Sequence, residues 1–200
     1  MLKIKSKPTV SIPPVEEGTY PAVCVGVVDL GEQHNKFYNK YEHKILLIME
    51  LPGELIEIEG EQKPRWVSRD FTASLGQKAN LTQFLNQWRG KALTEEEREN
   101  GFDLAELLNR PGFASVGVVE GKDRLFNVLN GMMSIPKGMP APTAIGELLW
   151  FDMDDWNDEV FQKLPGWVQD RIKKSTQYQK KHTPTDTIEV KAPESEVCPI

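Results

Sequence analysis

Two hundred residues, 39% of them apolar, suffice for one domain of ordinary size with added segments and are too few for two large ones. Two cysteines and three scattered histidines (His34, His43, His182) argue against a disulfide scaffold and a Cys/His zinc site, and a net charge of −6 taken as a whole-chain sum argues against a nucleic-acid partner. No apolar run reaches the roughly 18 to 20 residues that cross a bilayer, and "MLKIKSKPTVSIPP" lacks the apolar stretch of a secretory signal, so a soluble cytoplasmic protein without membrane contact is expected.

The first element in the chain is an arm, residues 1–18, ending in the turn-like "IPPVEEG". "TYPAVCVGVVDLGEQ" follows, rich in β-branched residues, and predicts strand one from Thr19 to Leu30 with Gly26 as a bulge and Gly31 as a stop. The polar connection "GEQHNKFYNKY" leads into strand two, Glu42 to Leu51, which Pro52-Gly53 ends. "ELIEIEGEQKP" extends it or makes a hairpin tip, and strand three runs from Arg65 to Ser74. The period then changes. In "KANLTQFLNQWRGK" the residues Leu81, Phe84, Leu85 and Trp88 form one helical stripe, stopped by Gly90. Thr94 and Glu97 are spaced as a capping box, "FDLAELLN" predicts a further short helix, and "GFASVGVVEG" and "DRLFNVLNGMMSI" read as a hairpin of two strands.

A mainly β layout of three strands, a helical insert and two strands is that of a five-stranded OB-fold-like barrel, here residues 19–139. A Pro/Gly-rich linker opens the next segment, 140–181, whose "WFDMDDWNDEVFQKLPGWVQDRIKKSTQYQKK" reads as an acidic C-terminal helical extension. Residues 182–200 carry too little apolar content to bury and read as a disordered tail.

Charge is unevenly distributed. The first 140 residues hold 17 Lys/Arg against 19 Asp/Glu, and the remainder 7 against 11, so a locally basic face is compatible with the acidic total. Single strands are gripped by rings on which bases stack and by cations that neutralise phosphates. Both devices are present: Lys36, Phe37, Tyr38, Lys40 and Tyr41 in the connection after strand one, Lys44 in strand two, Arg65, Trp66 and Arg69 in strand three, Arg89 and Lys91 at the helix end, and Lys122 and Arg124 at the last hairpin, with Phe126 beside them. Alternation puts Arg65, Val67, Arg69 and Phe71 on one face of strand three, a mixture of core and wet residues that leaves the placement of the arginines open. Phe37 and Tyr38 lie where no apolar periodicity asks for them. Trp88, on the helix stripe, reads as core.

The carboxylates of "DMDDWNDE" do not match an EF-hand and read as a solvated helix start. No nucleophile or phosphate-loop motif occurs, so neither catalysis, nor a cofactor, nor a metal is expected.

The blocks "EGTYPAVCVGVVDLGEQ", "SRDFTASLGQKANLTQFLNQWRGKALTEEE", "GFDLAELLNRPGFASV" and "IPKGM", over about residues 16–139, resemble the small phage and prophage single-stranded DNA-binding proteins, OB-fold factors of replication or recombination. The resemblance implies a barrel that coats single-stranded DNA with little sequence preference inside a bacterial host cell. It also implies a C-terminal region that meets replication or recombination proteins, although "ESEVCPI" lacks the dense aspartates and final phenylalanine of the best-known bacterial tips. The expected function is therefore non-enzymatic single-stranded DNA binding, with oligomeric state open. The alternative is a protein-interaction adaptor that uses the acidic Trp-rich segment from Trp150 to Trp167.

Overall fold

The computed structural model describes residues 13–182 apart from 59, 122 and 123; the expected tail beyond His182, Cys198, most of the N-terminal arm and Lys122 lie outside the described residues, and His182, read as the first residue of that tail, ends a helix. Among the described residues six strands form, β1 (Gly18–Asn35), β2 (Lys40–Ile58), β3 (Glu61–Thr72), β4 (Pro111–Glu120), β5 (Leu125–Met133) and β6 (Leu149–Phe151). Five helices accompany them among the same residues: α1 (Asn80–Arg89), α2 (Glu95–Glu99), α3 (Asp158–Lys163), α4 (Gly166–Ile172) and α5 (Thr176–His182), with a 3-10 turn at Leu104–Leu107.

Strands β3, β2, β1, β4 and β5 lie side by side in that order, each antiparallel to its neighbour. The sheet curls into a half-barrel whose two outer strands approach each other, and the seam between them is bridged by side chains rather than by a ladder. Arg69 of β3 donates to the Asn130 carbonyl of β5. Further along, Arg65 donates to the Pro13 carbonyl, while Asn127 of β5 exchanges bonds of 2.9 and 3.0 Å with the backbone of Val15. Residues 13–17 thus form a strap over one end of the seam.

The concave side holds the main core: Cys24 and Val27 of β1, Leu47 and Met49 of β2, Val67 and Phe71 of β3, Leu129 and Met132 of β5. Helix α1 lays its predicted stripe, Leu81, Phe84, Leu85 and Trp88, against this core. The Trp88 indole keeps its hydrogen bond by donating to the Pro111 carbonyl at 3.0 Å. Gly90 ends the helix at φ 68°, a left-handed conformation that costs an L side chain strain and glycine none. Thr94 and Glu97 form the capping box in full.

Three expectations change. Pro52-Gly53 does not end strand two; the register jumps between Leu51 and Leu55, so the proline sits in a bulge where its missing N–H deprives no ladder bond, and a long β2–β3 hairpin continues beyond it. Gly31 does not stop strand one either; at φ 68° it forms a bulge, its amide held by Asp29 Oδ1 at 2.7 Å, and β1 runs on to Asn35. Trp150 and Phe151, read as helix, belong to β6, which pairs parallel with Gly26–Val28 of β1.

The C-terminal extension is integral to the sheet's packing. Val25, Val28 and Leu30 of β1 with Leu46 and Ile48 of β2 project from the convex side and are buried under Leu149, Phe151, Phe161, Leu164, Val168 and Ile172. Strands β1 and β2 are therefore buried on both faces through their middles. Among the described residues no helix is long and apolar enough to cross a membrane.

Candidate nucleic-acid interface

The β1–β2 hairpin reaches out beyond the second bulge of β1, and its turn is built by one side chain. Asn35 Oδ1 accepts from the amides of Phe37 (3.1 Å) and Tyr38 (3.3 Å), an Asx-type turn that Asn39 completes at φ 47°. With the backbone satisfied locally, the rings have no core to enter: Phe37 is 86% exposed, Tyr38 65% and Tyr41 61%. Phe37 and Tyr38 meet edge to face at 4.8 Å, Tyr41 lies against His34 at 5.1 Å, and the Lys40 ammonium stands 5.4 Å from the Tyr38 ring centre.

Glu42 organises the cations behind these rings. Its carboxylate accepts from Lys40 (2.8 Å), Lys44 (2.9 Å) and Asn35 Nδ2 (3.0 Å), and these three bonds, Lys40 first, hold its pKa at about 2. The same contact raises the Lys40 pKa. Both lysines are thereby held in place behind the rings by one carboxylate.

His43 braces the hairpin's base through Asp29 Oδ1 at 2.7 Å, a hydrogen bond that raises its pKa above 6.5, with lesser help from the charges of Glu32 and Asp154. A raised histidine pKa contributes stability that is complete below the unfolded value and disappears as pH rises through the folded one. The thermal midpoint is therefore expected to fall modestly as pH increases from 6.5 upward, modestly because the imidazole is partly exposed. Asp29→Asn should flatten that profile; an identical slope in wild type and variant would remove His43 from the account.

The remaining sequence candidates separate. Arg69 joins Lys44 at a cavity beside the hairpin's root, lined also by Asp70, Thr72, Lys78 and Asn80. Arg65 and Trp66 lie toward the opposite end of β3, the arginine tied to the Pro13 carbonyl and the half-exposed indole donating to Glu50 Oε2 at 3.4 Å. Arg124 is exposed at the β4–β5 turn near the exposed Phe126. Arg89 is engaged elsewhere: only 4% of its side chain is exposed, Glu97 grips it with both oxygens, and it lies 5.0 Å from the Phe102 ring centre. Lys91 is exposed beyond the helix end. The convex face of strands two and three is no open trough, because the extension roofs Leu46 and Ile48, Glu50 binds its loop, and Arg171 of α4 pairs with Asp70 at 3.0 Å.

Lys78 escaped the sequence reading. The signal was there: a base preceding a helix that has no acid in its first turn and an alanine at its cap position inverts the usual pattern. In the acidic segment, Asn157 caps α3 and Asp158 and Glu159 begin it, while Trp156 packs on Phe151 and Phe161. Among the described residues no three His, Cys, Asp or Glu side chains gather as metal ligands. Burial pushes the Cys24 thiol up to about 12, which makes it a core side chain and no nucleophile at neutral pH.

No protein-family model and no curated protein matches this chain. Its class is set by its geometry, a mainly β half-barrel carrying an exposed aromatic hairpin flanked by lysines.

Proposed function

We propose that the chain is a non-enzymatic single-stranded DNA-binding protein of phage replication or recombination, its half-barrel an OB-fold. Three antiparallel strands, a helix and a returning hairpin that pairs with strand one are the connectivity such a barrel requires. The observation that carries the reading is the hairpin tip, where Phe37, Tyr38 and Tyr41 stand in solvent between Lys36, Lys40 and Lys44. Rings that fold into no core are available to unpaired bases, each stacked base being worth roughly 1 to 3 kcal/mol, and the lysines displace counterions from the backbone. The strand would lie along the hairpin rather than over the roofed convex face.

A labelled oligo-dT should bind with an affinity that falls as salt rises from about 50 mM, read by fluorescence anisotropy. Phe37→Ala and Tyr38→Ala are each expected to weaken it about tenfold, with little change in stability because neither ring is packed. No binding at micromolar protein, or full affinity in the double variant, would end the proposal.

The adaptor reading keeps one specific support. Trp167 is 49% exposed and, with Trp66, lines an apolar groove of about 930 Å³ between the β2–β3 hairpin and the extension. Trp167→Ala separates the two: DNA affinity is unchanged if the hairpin is the working surface.

A further inference from the structure

We infer that the cavity at the root of the hairpin is a phosphate subsite that receives the backbone of the strand whose bases stack on the tip. The inference rests on the DNA-binding reading and adds a site to it. The cavity measures about 280 Å³, room for several waters that a phosphodiester group would partly displace. Three cationic side chains reach it from three separate parts of the chain: Lys44 from β2, Arg69 from β3 and Lys78 from the turn before α1. Its single acid, Asp70, is already paired with Arg171.

The cations are poised rather than saturated. Lys44 is oriented by Thr72 Oγ1 at 2.7 Å and by Glu42 Oε2 at 2.9 Å. Arg69 spends one nitrogen on the Asn130 carbonyl, which leaves most of the five N–H donors of a guanidinium unassigned. Lys78 is exposed and makes no ion pair among the described residues. The adjoining helix favours an anion in the same place. Ala79 supplies no cap, and the first bond back into the helix is Gln83 N–H to the Ala79 carbonyl, so the amides of residues 80–82 begin the helix without a side-chain acceptor. Lys40, whose ammonium stands over the Tyr38 ring, and Lys44 flank Glu42 on one face of β2, so tip and cavity are joined along that face.

Two arms distinguish a strand phosphodiester from a free anion: salt titration of oligo-dT binding, and amide NMR titration with inorganic phosphate or with oligo-dT lacking a terminal phosphate. Lys78→Gln, an exposed change that spares the fold, is expected to lower affinity several-fold and to reduce the slope of log K against log salt by about 0.7, the loss of one phosphate contact to a single strand. Glu42→Gln, which removes the carboxylate competing for Lys40 and Lys44, should raise affinity. Oligo-dT should shift the amides of Asn80 and Leu81. If Lys78→Gln leaves affinity and slope unchanged while Phe37→Ala weakens binding, the subsite is refuted and the DNA reading stands. If oligo-dT does not bind but inorganic phosphate moves the Asn80 and Leu81 amides, the DNA reading fails and the cavity is a free-anion site. If neither ligand moves them, the subsite is overturned.

Discussion

A chain cut at residue 140 is expected to lose cooperative unfolding, to bind a hydrophobic dye and to aggregate, although every strand of the half-barrel remains. The cut uncovers Val25, Val28, Leu30, Leu46 and Ile48, which form one contiguous apolar patch on the convex face. At about 1.5 to 3 kcal/mol for each fully buried aliphatic side chain, the sheet forfeits on the order of 7 to 15 kcal/mol of gross burial, as large as the whole net stability of an ordinary domain. The ordering entropy recovered from the deleted segment offsets part of the energy but none of the exposure, and a patch of that size is an association site. It also removes β6, which covers the β1 edge at Gly26–Val28, and so opens a strand edge to other chains. Size-exclusion chromatography and dye fluorescence of the two chains side by side test this. A soluble, monodisperse short chain with an unchanged urea midpoint would show that the extension is an ornament on a self-sufficient barrel. The consequence for function is practical: deletion cannot decide between a DNA-binding barrel and a C-terminal adaptor, whereas exposed single substitutions at Phe37 and Trp167 can.

The two-layer arrangement left a trace in the sequence that alternation alone hides. "AVCVGVV" and "ILLIM" are continuous apolar runs, and a strand reads that way when both of its faces are covered. What covers them was not legible, since the partners lie more than 100 residues away and β6 is three residues long, too short to show a period. Local chemistry was readable: the helical stripe ending at Gly90, the capping box of Thr94 and Glu97, and the aromatic residues stranded in a polar turn. Residues whose partner stands across the seam were not. Arg65 and Arg69 look like phosphate ligands in a one-dimensional reading, yet each first answers to a carbonyl, of Pro13 and of Asn130, and Arg89 to Glu97. A charge in a sequence states its sign; only the fold states whether its donors are still free.

Glu50 is the clearest case of a charge-bearing side chain used for construction, and its replacement by alanine is expected to cost about 2 to 4 kcal/mol. It lies fully buried on the convex side of β2, in line with Leu46 and Ile48, where an apolar residue would continue the pattern. Its oxygens instead accept three N–H groups: the amide of Ile145 at 2.5 Å, the amide of Gly146 at 3.0 Å and the Trp66 indole at 3.4 Å. Gly146 is required at that contact, because a Cβ there would stand 2.7 Å from Glu50 Oε2. The side chain thus fastens the linker between the barrel and its roof, and alanine would leave buried donors without an acceptor. Glutamine, with one oxygen left and an NH2 turned toward a backbone N–H, should fall between the two. Urea unfolding followed by tryptophan emission gives the loss as a shift in midpoint at constant slope, and hydrogen exchange should quicken at Ile145 and Gly146 before the core amides respond. DNA affinity should hold in the folded variant, since Glu50 lies six residues, about 20 Å of strand, beyond Lys44. A midpoint within about 0.5 kcal/mol of wild type would mean that water replaces the carboxyl group without penalty, and that the roof is held by its apolar contacts alone.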